Sequence, residues 1–434
     1  MIRRVFLFSA LLLLACSDTP ADDGDASPED ASIDVTRAPD ASDAEPDDAD
    51  AGPALPSPIR YVLVLVKENH TFDNYFTGFP GADTTTTAKL STGKTYTRPV
   101  AASADLKSDM CHANSCGFDA YDNGKMDGFD TTGTGTQGFA YYTEKQIPSY
   151  WQYARNFVLA DHFFSTTLGP STPGHTVFWN GRSLSIANAA CPLGGDCNGF
   201  GCTAGKDVTI ASQDSETCET AMVKPCFDVP ILSDHLPEGF TWMDYGGPIA
   251  MMTKSVVADP NYITHFAAQK QLVTDLGNGK LANLTIAHLS SGDTSEHPPS
   301  YPCAGENFTV QIVNAAMQSP HWKEMAIVIT WDDWGGFYDH VAPTVHKCKN
   351  GKIYRSGFRL PAIVISPYAK KGYVLKTPTE QASVPRLVEE LWGMPFMTAR
   401  SSLARDGVAG SLMDAFDFAQ APRDPLILQT HTCP

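Results

Sequence analysis

Apolar and polar positions fall in blocks that separate buried strands from the segments joining them. Residues 61–66 (Tyr-Val-Leu-Val-Leu-Val) and 326–331 (Ala-Ile-Val-Ile-Thr-Trp) are short, nearly unbroken apolar runs rich in β-branched side chains, the pattern of a strand covered on both faces. Runs of the same kind occupy 157–160, 240–243, 284–289 and 362–365, and segments 149–156, 308–317 and 384–392 between them read as helices. Strands alternating with helices predict a mostly parallel sheet with helices on both faces, a three-layer α/β/α sandwich.

Where the runs stop, the chemistry changes. Residues 326–331 end at Asp332-Asp333, followed by Gly335-Gly336 and then Asp339-His340; residues 61–66 run into Lys67-Glu68-Asn69-His70. Open α/β sheets bind ligands beyond the carboxyl ends of their strands. Adjacent carboxylates repel unless a cation sits beside them, so these ends read as metal-holding, against the blander reading of solvated acidic turns. Pro173 suits the first turn of a helix, which places Ser171 at or just before a helix amino terminus, where free N–H groups and the dipole favour an anion. Taken alone, a serine there is more often a cap. His112 and His297 lie on loops.

Oxygen ligands suit a hard or borderline divalent cation, and imidazoles widen the choice towards transition metals. A hydroxyl at a helix start beside such a cation is what phosphoryl transfer needs, with N–H groups to hold phosphate oxygens and imidazoles to contact them or protonate the leaving alcohol. Competing motifs fail: no nucleophile elbow surrounds Ser171, and there is no His-Glu-x-x-His, no Walker loop and no Gly-x-Gly-x-x-Gly after a strand.

Composition divides the chain. Arg3 and Arg4 precede an apolar stretch too short to span a bilayer as a mature helix, so residues 1–15 are expected to be a signal peptide. The sequence Leu13-Leu14-Ala15-Cys16 resembles a bacterial lipobox, which implies cleavage before Cys16, lipid attachment to its thiol and a membrane-anchored, exported protein at the bacterial outer membrane or cell surface. Residues 17–57 carry 13 acids and one base and almost no large apolar side chains. With Cys16 they are expected to form a disordered tether, whose reach as a flexible coil is roughly 35 Å. The chain's net charge of −18 thereby leaves −8 on the folded domain expected at 58–434, which argues against nucleic acid as a partner. Ten further cysteines in an exported chain read as disulfides. Five of them crowd a Gly- and Asn-rich stretch at about 188–230, expected to be a stapled insertion; a zinc cluster is the alternative, although no Cys-x-x-Cys occurs.

Five segments together, Glu68-Asn69-His70-Thr71-Phe72-Asp73, Gly124-Lys125-Met126-Asp127-Gly128-Phe129, Gly169-Pro170-Ser171-Thr172-Pro173, Glu296-His297-Pro298 and the stretch from Trp331 to Val341, resemble in their order the bacterial phosphoesterase family. That family holds phosphatidylcholine-type phospholipases C and acid phosphatases within the alkaline phosphatase superfamily. The resemblance covers roughly 59–395. It implies an alkaline-phosphatase-like fold and hydrolysis of phosphate esters, phospholipids included, through a phosphoseryl intermediate. By the same resemblance Glu68, Asn69, Asp332 and Asp333 hold a divalent metal, Ser171 is the nucleophile that also touches it, and His112 and His297 contact the phosphoryl group. Asp339 and His340 are expected to support these ligands from behind, and the role of His175, where relatives often carry Arg, is open.

Two features depart from the family. Val256-Val257-Ala258-Asp259-Pro260 stands where its phosphatases often carry a His-His pair, with His265 nearby as a possible substitute, and this bears on the leaving-group side of the site. The carboxyl-terminal domains of the larger phospholipases C have no counterpart in these residues. A different class of function, a surface lipoprotein that keeps the fold as a binding module, has no physical need of a complete ligand set beside a nucleophilic hydroxyl.

Overall fold

All six apolar runs are strands of one sheet in the computed structural model, which describes residues 55–101, 108–133, 135–192, 195–214, 217–349, 353–399 and 404–433. The expectations for the leader, for Cys16 and for most of the tether lie outside the described residues. Leu55 already packs against the core and the Ser57 hydroxyl donates to the Leu391 carbonyl at 2.8 Å, so packed chain begins ahead of residue 58.

The sheet's strands are β1 (Tyr61–Lys67), β2 (Val158–Ala160), β3 (Trp242–Tyr245), β4 (Phe266–Ala267), β5 (Leu284–His288), β6 (Met325–Trp331), β7 (Ala362–Ile365) and β8 (Tyr373–Leu375). Their spatial order is β8-β2-β7-β6-β1-β5-β3-β4. Every pairing is parallel except those of β7, which runs against both β6 and β2. The central strands are the continuously apolar ones: Val62 to Val66 and Ala326 to Ile329 are fully buried, as strands covered on both faces must be. Strand β3 runs two residues past the end of its apolar run, because the buried Asp244 interrupts the pattern while continuing the strand. The edge strands β4 and β8 are too short to show a period.

Seven helices bear on the argument: α1 (Phe72–Phe76), α2 (Asn114–Tyr121), α3 (Pro148–Asn156), α4 (Ser171–Asn180), α5 (Gln271–Gly277), α6 (Cys303–Gln318) and α7 (Ser383–Trp392). Helix α6 packs on α3 and α5, whereas α4 packs on α7. Residues on one strand alternate between faces, and the end of β6 shows it: the Trp331 ring lies 5.3 Å from Tyr150 of α3, while the Asp332 backbone meets α4. The sheet is thus sandwiched between two helical layers. Helix α6 begins five residues ahead of its expected start, since Cys-Ala-Gly-Glu-Asn carries little apolar signal.

All ten cysteines among the described residues pair, as Cys111–Cys116, Cys191–Cys197, Cys202–Cys226, Cys218–Cys348 and Cys303–Cys433. Two of these close within the insertion, and Cys218 ties it to the hairpin of Val345–Lys347 and Ile353–Arg355. The zinc alternative therefore has no thiols left to use.

Candidate active site

The parallel pairing of β1 with β6 puts Lys67 opposite Trp331, so Glu68-Asn69 and Asp332-Asp333 emerge side by side at the carboxyl ends. Backbone hydrogen bonds lock the two exits together. Asp332 N–H donates to the Lys67 carbonyl at 3.0 Å, and Asn69 N–H donates to Asp332 Oδ1 at 3.0 Å. Gly335 N–H donates to Asp333 Oδ1 at 2.7 Å. Asn69 sits at φ +65°, a conformation that asparagine tolerates better than most side chains. Two close approaches require glycine. A Cβ on Gly174 of α4 would lie 2.0 Å from the Asp332 carbonyl oxygen, and one on Gly335 (φ +59°) would lie 2.2 Å from that of Asn69.

Helix α4 thereby delivers its first residue, Ser171, to the strand ends. Ser171 Oγ stands 3.2 Å from Glu68 Oε2, 3.3 Å from Asp333 Oδ2 and 3.4 Å from the Asn69 carboxamide oxygen. Turned so that its NH2 faces inward, the Asn69 amide reaches Glu68 Oε2 at 3.0 Å, Asp332 at 3.0 and 3.2 Å and Asp333 Oδ2 at 3.3 Å, and its oxygen accepts from His297 Nε2 at 3.0 Å. Turned the other way, the oxygen faces those same acceptors. That second arrangement is repulsive unless a cation lies among the oxygens. The donor set of Glu68, Asn69, Ser171, Asp332 and Asp333, all oxygen, fits a divalent metal.

The electrostatics agree. Burial, then the charge of Glu68, pushes the Asp332 carboxyl up to about 7. Burial and the charge of Asp332 hold Asp333 well above the ordinary carboxylate range. Burial alone would also raise Glu68, but the hydrogen bond and charge of His175 outweigh it and leave Glu68 lowered. Protons and a cation therefore compete for the cage. A carboxyl raised in the fold costs the metal-free protein stability as pH rises from the unfolded value through about 7. We expect divalent-metal affinity, measured by titration calorimetry, to be at least about tenfold weaker near pH 6 than near pH 8. Metal-induced stabilisation in thermal melts should grow over the same interval. Affinity that does not change with pH would contradict this charge balance.

His112 and His297 flank the opening, their ring centroids 5.8 Å apart. Each Nδ1–H donates to a backbone carbonyl, of Met110 at 2.7 Å and of Pro298 at 2.6 Å. This leaves Nε2 of both rings facing Asn69, at 3.4 Å for His112 and 3.0 Å for His297. The structure thus brings together all seven residues singled out from the sequence.

It places others differently. Asp339 and His340 stand with Asp73 around Arg359, whose Nε donates to Asp339 at 2.8 Å and whose Nη2 donates to Asp73 at 3.1 Å. A cation is already built into that cluster, which braces the loops one layer further out than expected. His265 stacks on Trp242 at 4.1 Å, at the amino end of β3, the opposite end of the sheet from the cage. It does not replace the missing histidine pair.

Two features escaped the sequence. His175, on α4, donates from Nε2 to Glu68 Oε1 at 3.0 Å, and its Nδ1 lies 2.8 Å from His288 Nδ1. Burial would lower His175, but Glu68 and Asp332 outweigh it and hold it raised, whereas burial and the His175 charge drive His288 far down. His175 is therefore the cationic, donating partner. Spacing along α4 could have suggested it, since Ser171 and His175 are four residues apart on one helix face. The second is the support under the cage. Lys67 Nζ lies 3.1 Å from Glu296 Oε1, both fully buried, and the Tyr75 and Tyr150 hydroxyls donate to the Glu296 carboxylate at 2.7 and 2.5 Å. It joins the residue before Glu68 to the residue before His297. Glu296→Ala, which strands a buried ammonium, should cost about 3–5 kcal/mol in urea unfolding. A loss under about 1 kcal/mol would show that the network does not carry the load assigned to it.

Comparison with known proteins identifies a family. The Phosphoesterase family profile matches residues 59–395. Non-specific phospholipase C1 of Arabidopsis thaliana is 32% identical over 172 residues, covering 33% of this chain and 31% of that protein. Non-hemolytic phospholipase C of Pseudomonas aeruginosa is 24% identical over 425 residues, covering 85% of this chain and 58% of its own length. The chain thus spans less than two thirds of either relative. Among solved structures, a protein in the alkaline phosphatase superfamily from Vibrio parahaemolyticus aligns at 9% identity with a TM-score of 0.35, over 78% of this chain and 68% of that one.

Proposed function

Since this chain belongs to the Phosphoesterase family, we propose that it hydrolyses phosphate esters, as a phospholipase C or an acid phosphatase, through a phosphoseryl intermediate on Ser171. The observation that carries this reading is the convergence of Ser171 Oγ, at the start of a helix, on Glu68, Asn69 and Asp333 within 3.2–3.4 Å. Those residues with Asp332 would hold a divalent cation, which when bound neutralises phosphate charge and lowers the cost of a serine alkoxide.

The chain's own groups supply the rest. Ser171 Oγ attacks phosphorus as its proton passes to a neighbouring carboxylate, Glu68 or Asp333. The bond from phosphorus to the leaving oxygen breaks, and His112 or His297, whose Nε2 atoms face the opening, protonates that oxygen. Water then attacks the phosphoserine as the same imidazole takes up its proton; the bond from phosphorus to Ser171 Oγ breaks, and the carboxylate returns the proton that restores the hydroxyl. The amino terminus of α4 favours the anion throughout. His175 keeps Glu68 ionised and in place.

Five disulfides support an exported protein; the lipid anchor rests on Leu13-Leu14-Ala15-Cys16. The test is an assay of metal-loaded protein on an aryl phosphate monoester beside phosphatidylcholine. Turnover of one or both, abolished by chelation, is expected, and the preferred substrate assigns the phosphatase or phospholipase class. Turnover of neither, or full activity after the metal has been stripped, refutes the proposal.

A further inference from the structure

A cavity of about 170 Å³ opens at the first turn of α4, beneath the disulfide-rich insertion. Thr172 lines it together with Ala190, Phe200, Ala204, Val208 and Met252, and no lining residue carries a charge. Thr172 follows Ser171 directly, about 3.8 Å away between Cα atoms, so the cavity opens on the same helical turn that carries the nucleophile.

Its walls are built rather than left over. Asn188 Oδ1 accepts the Thr172 N–H at 2.9 Å, which fastens the strip leading to Ala190 onto the helix of Ser171. Cys191 and Cys197, two lining residues, are bonded to each other, and Cys202–Cys226 closes the insertion beside them. Gly201 lets the floor approach: with φ +55°, a Cβ there would meet the Met251 carbonyl oxygen at 2.5 Å. These restraints fix a hydrocarbon surface on the turn that carries the reacting group.

Size limits the occupant. An apolar cavity of about 150 Å³ holds a benzene molecule, so this one suits a single ring or a chain of about six carbons and is too small for two full-length acyl chains. We propose that the cavity binds one apolar group of that size carried by the phosphate ester. It would thereby select esters of aromatic or short aliphatic alcohols over those of small polar alcohols. The inference rests on the assignment of Ser171 as the phosphoryl acceptor. It also gives the insertion a function, recognition of the organic half of the substrate.

The test is binding of n-hexylphosphonate against methylphosphonate, which share a headgroup and are not hydrolysed, to the metal-loaded full-length protein by titration calorimetry. Burying the extra methylenes predicts a preference for the hexyl ligand of at least about tenfold. Filling the cavity, with Ala190→Trp at its exposed rim and Val208→Phe in its buried wall, should bring the ratio under about threefold. Two variants are used because the buried substitution can disturb folding. A wild-type ratio near one, or a ratio that survives in both folded variants, overturns the inference, as does an equal loss of both ligands. Phosphonate binding is read without turnover, so a hexyl preference in a protein whose Ser171→Ala variant keeps full activity would defeat the catalytic assignment while leaving the cavity a site for apolar phosphonates.

Discussion

Ser171→Ala lowers kcat on any phosphate ester the wild-type protein hydrolyses by at least about 10⁴-fold, because the atom that accepts the phosphoryl group is gone and the remaining groups act as a unit around it. The fold should not notice. Ser171 is only partly buried and its hydroxyl donates to the surrounding oxygen acceptors, so its removal costs one hydrogen bond and opens no buried cavity. Thermal unfolding within about 0.5 kcal/mol of wild type is expected. Metal content should change little, since Glu68, Asn69, Asp332 and Asp333 remain. The combination is diagnostic: an unfolded variant would lose activity for the wrong reason, and an active one would refute the nucleophile. Measured kcat, melting temperature and metal stoichiometry on one preparation decide it.

Asp333→Asn should separate stability from function in opposite directions. Asp333 is buried against Asp332, and burial with that neighbouring charge holds its carboxyl far above the ordinary range. In metal-free protein near neutral pH, keeping this carboxyl ionised beside Asp332 or making it take up a proton on folding costs stability either way, and the neutral amide avoids both. The chelated variant should therefore melt above chelated wild type. With metal the order reverses, because the cation turns the same carboxylate into a ligand and the amide is a poorer one. Activity should fall by about 10³-fold or more. Such a trade, in which a group that destabilises the empty fold is kept for chemistry, is expected of a working site. Asp333→Asn melting below wild type in both states would show that the carboxylate serves the fold.

The large features were legible because their causes are local. Strands β1 and β6 are continuously apolar and flank one another, so both their existence and their acidic exits could be read from a few residues. Ser171 was legible through Pro173, which marks a first turn. What escaped lay in buried polar groups, whose partners come from distant parts of the chain. His288, at the end of an apolar run, gives no hint that it meets His175; Glu306, buried in α6, accepts the N–H groups of Ser149 and Tyr150 and so caps α3. Asp244 hid the end of β3 for a related reason, since a buried carboxyl looks like a strand boundary. The disulfide pairing could not be derived from spacing, and Cys218–Cys348 and Cys303–Cys433, each 130 residues apart, show why: tertiary structure chose the partners.

Rapid acid quench of the metal-loaded protein during turnover of a phosphate ester, followed by peptide mass spectrometry, reads the account most directly. Phosphate attached to Ser171 in the wild-type protein, and missing when the metal has been stripped beforehand, is the predicted result. Steady turnover with no phosphoryl group captured on Ser171 at any quench time, together with retained turnover in Ser171→Ala, would contradict it.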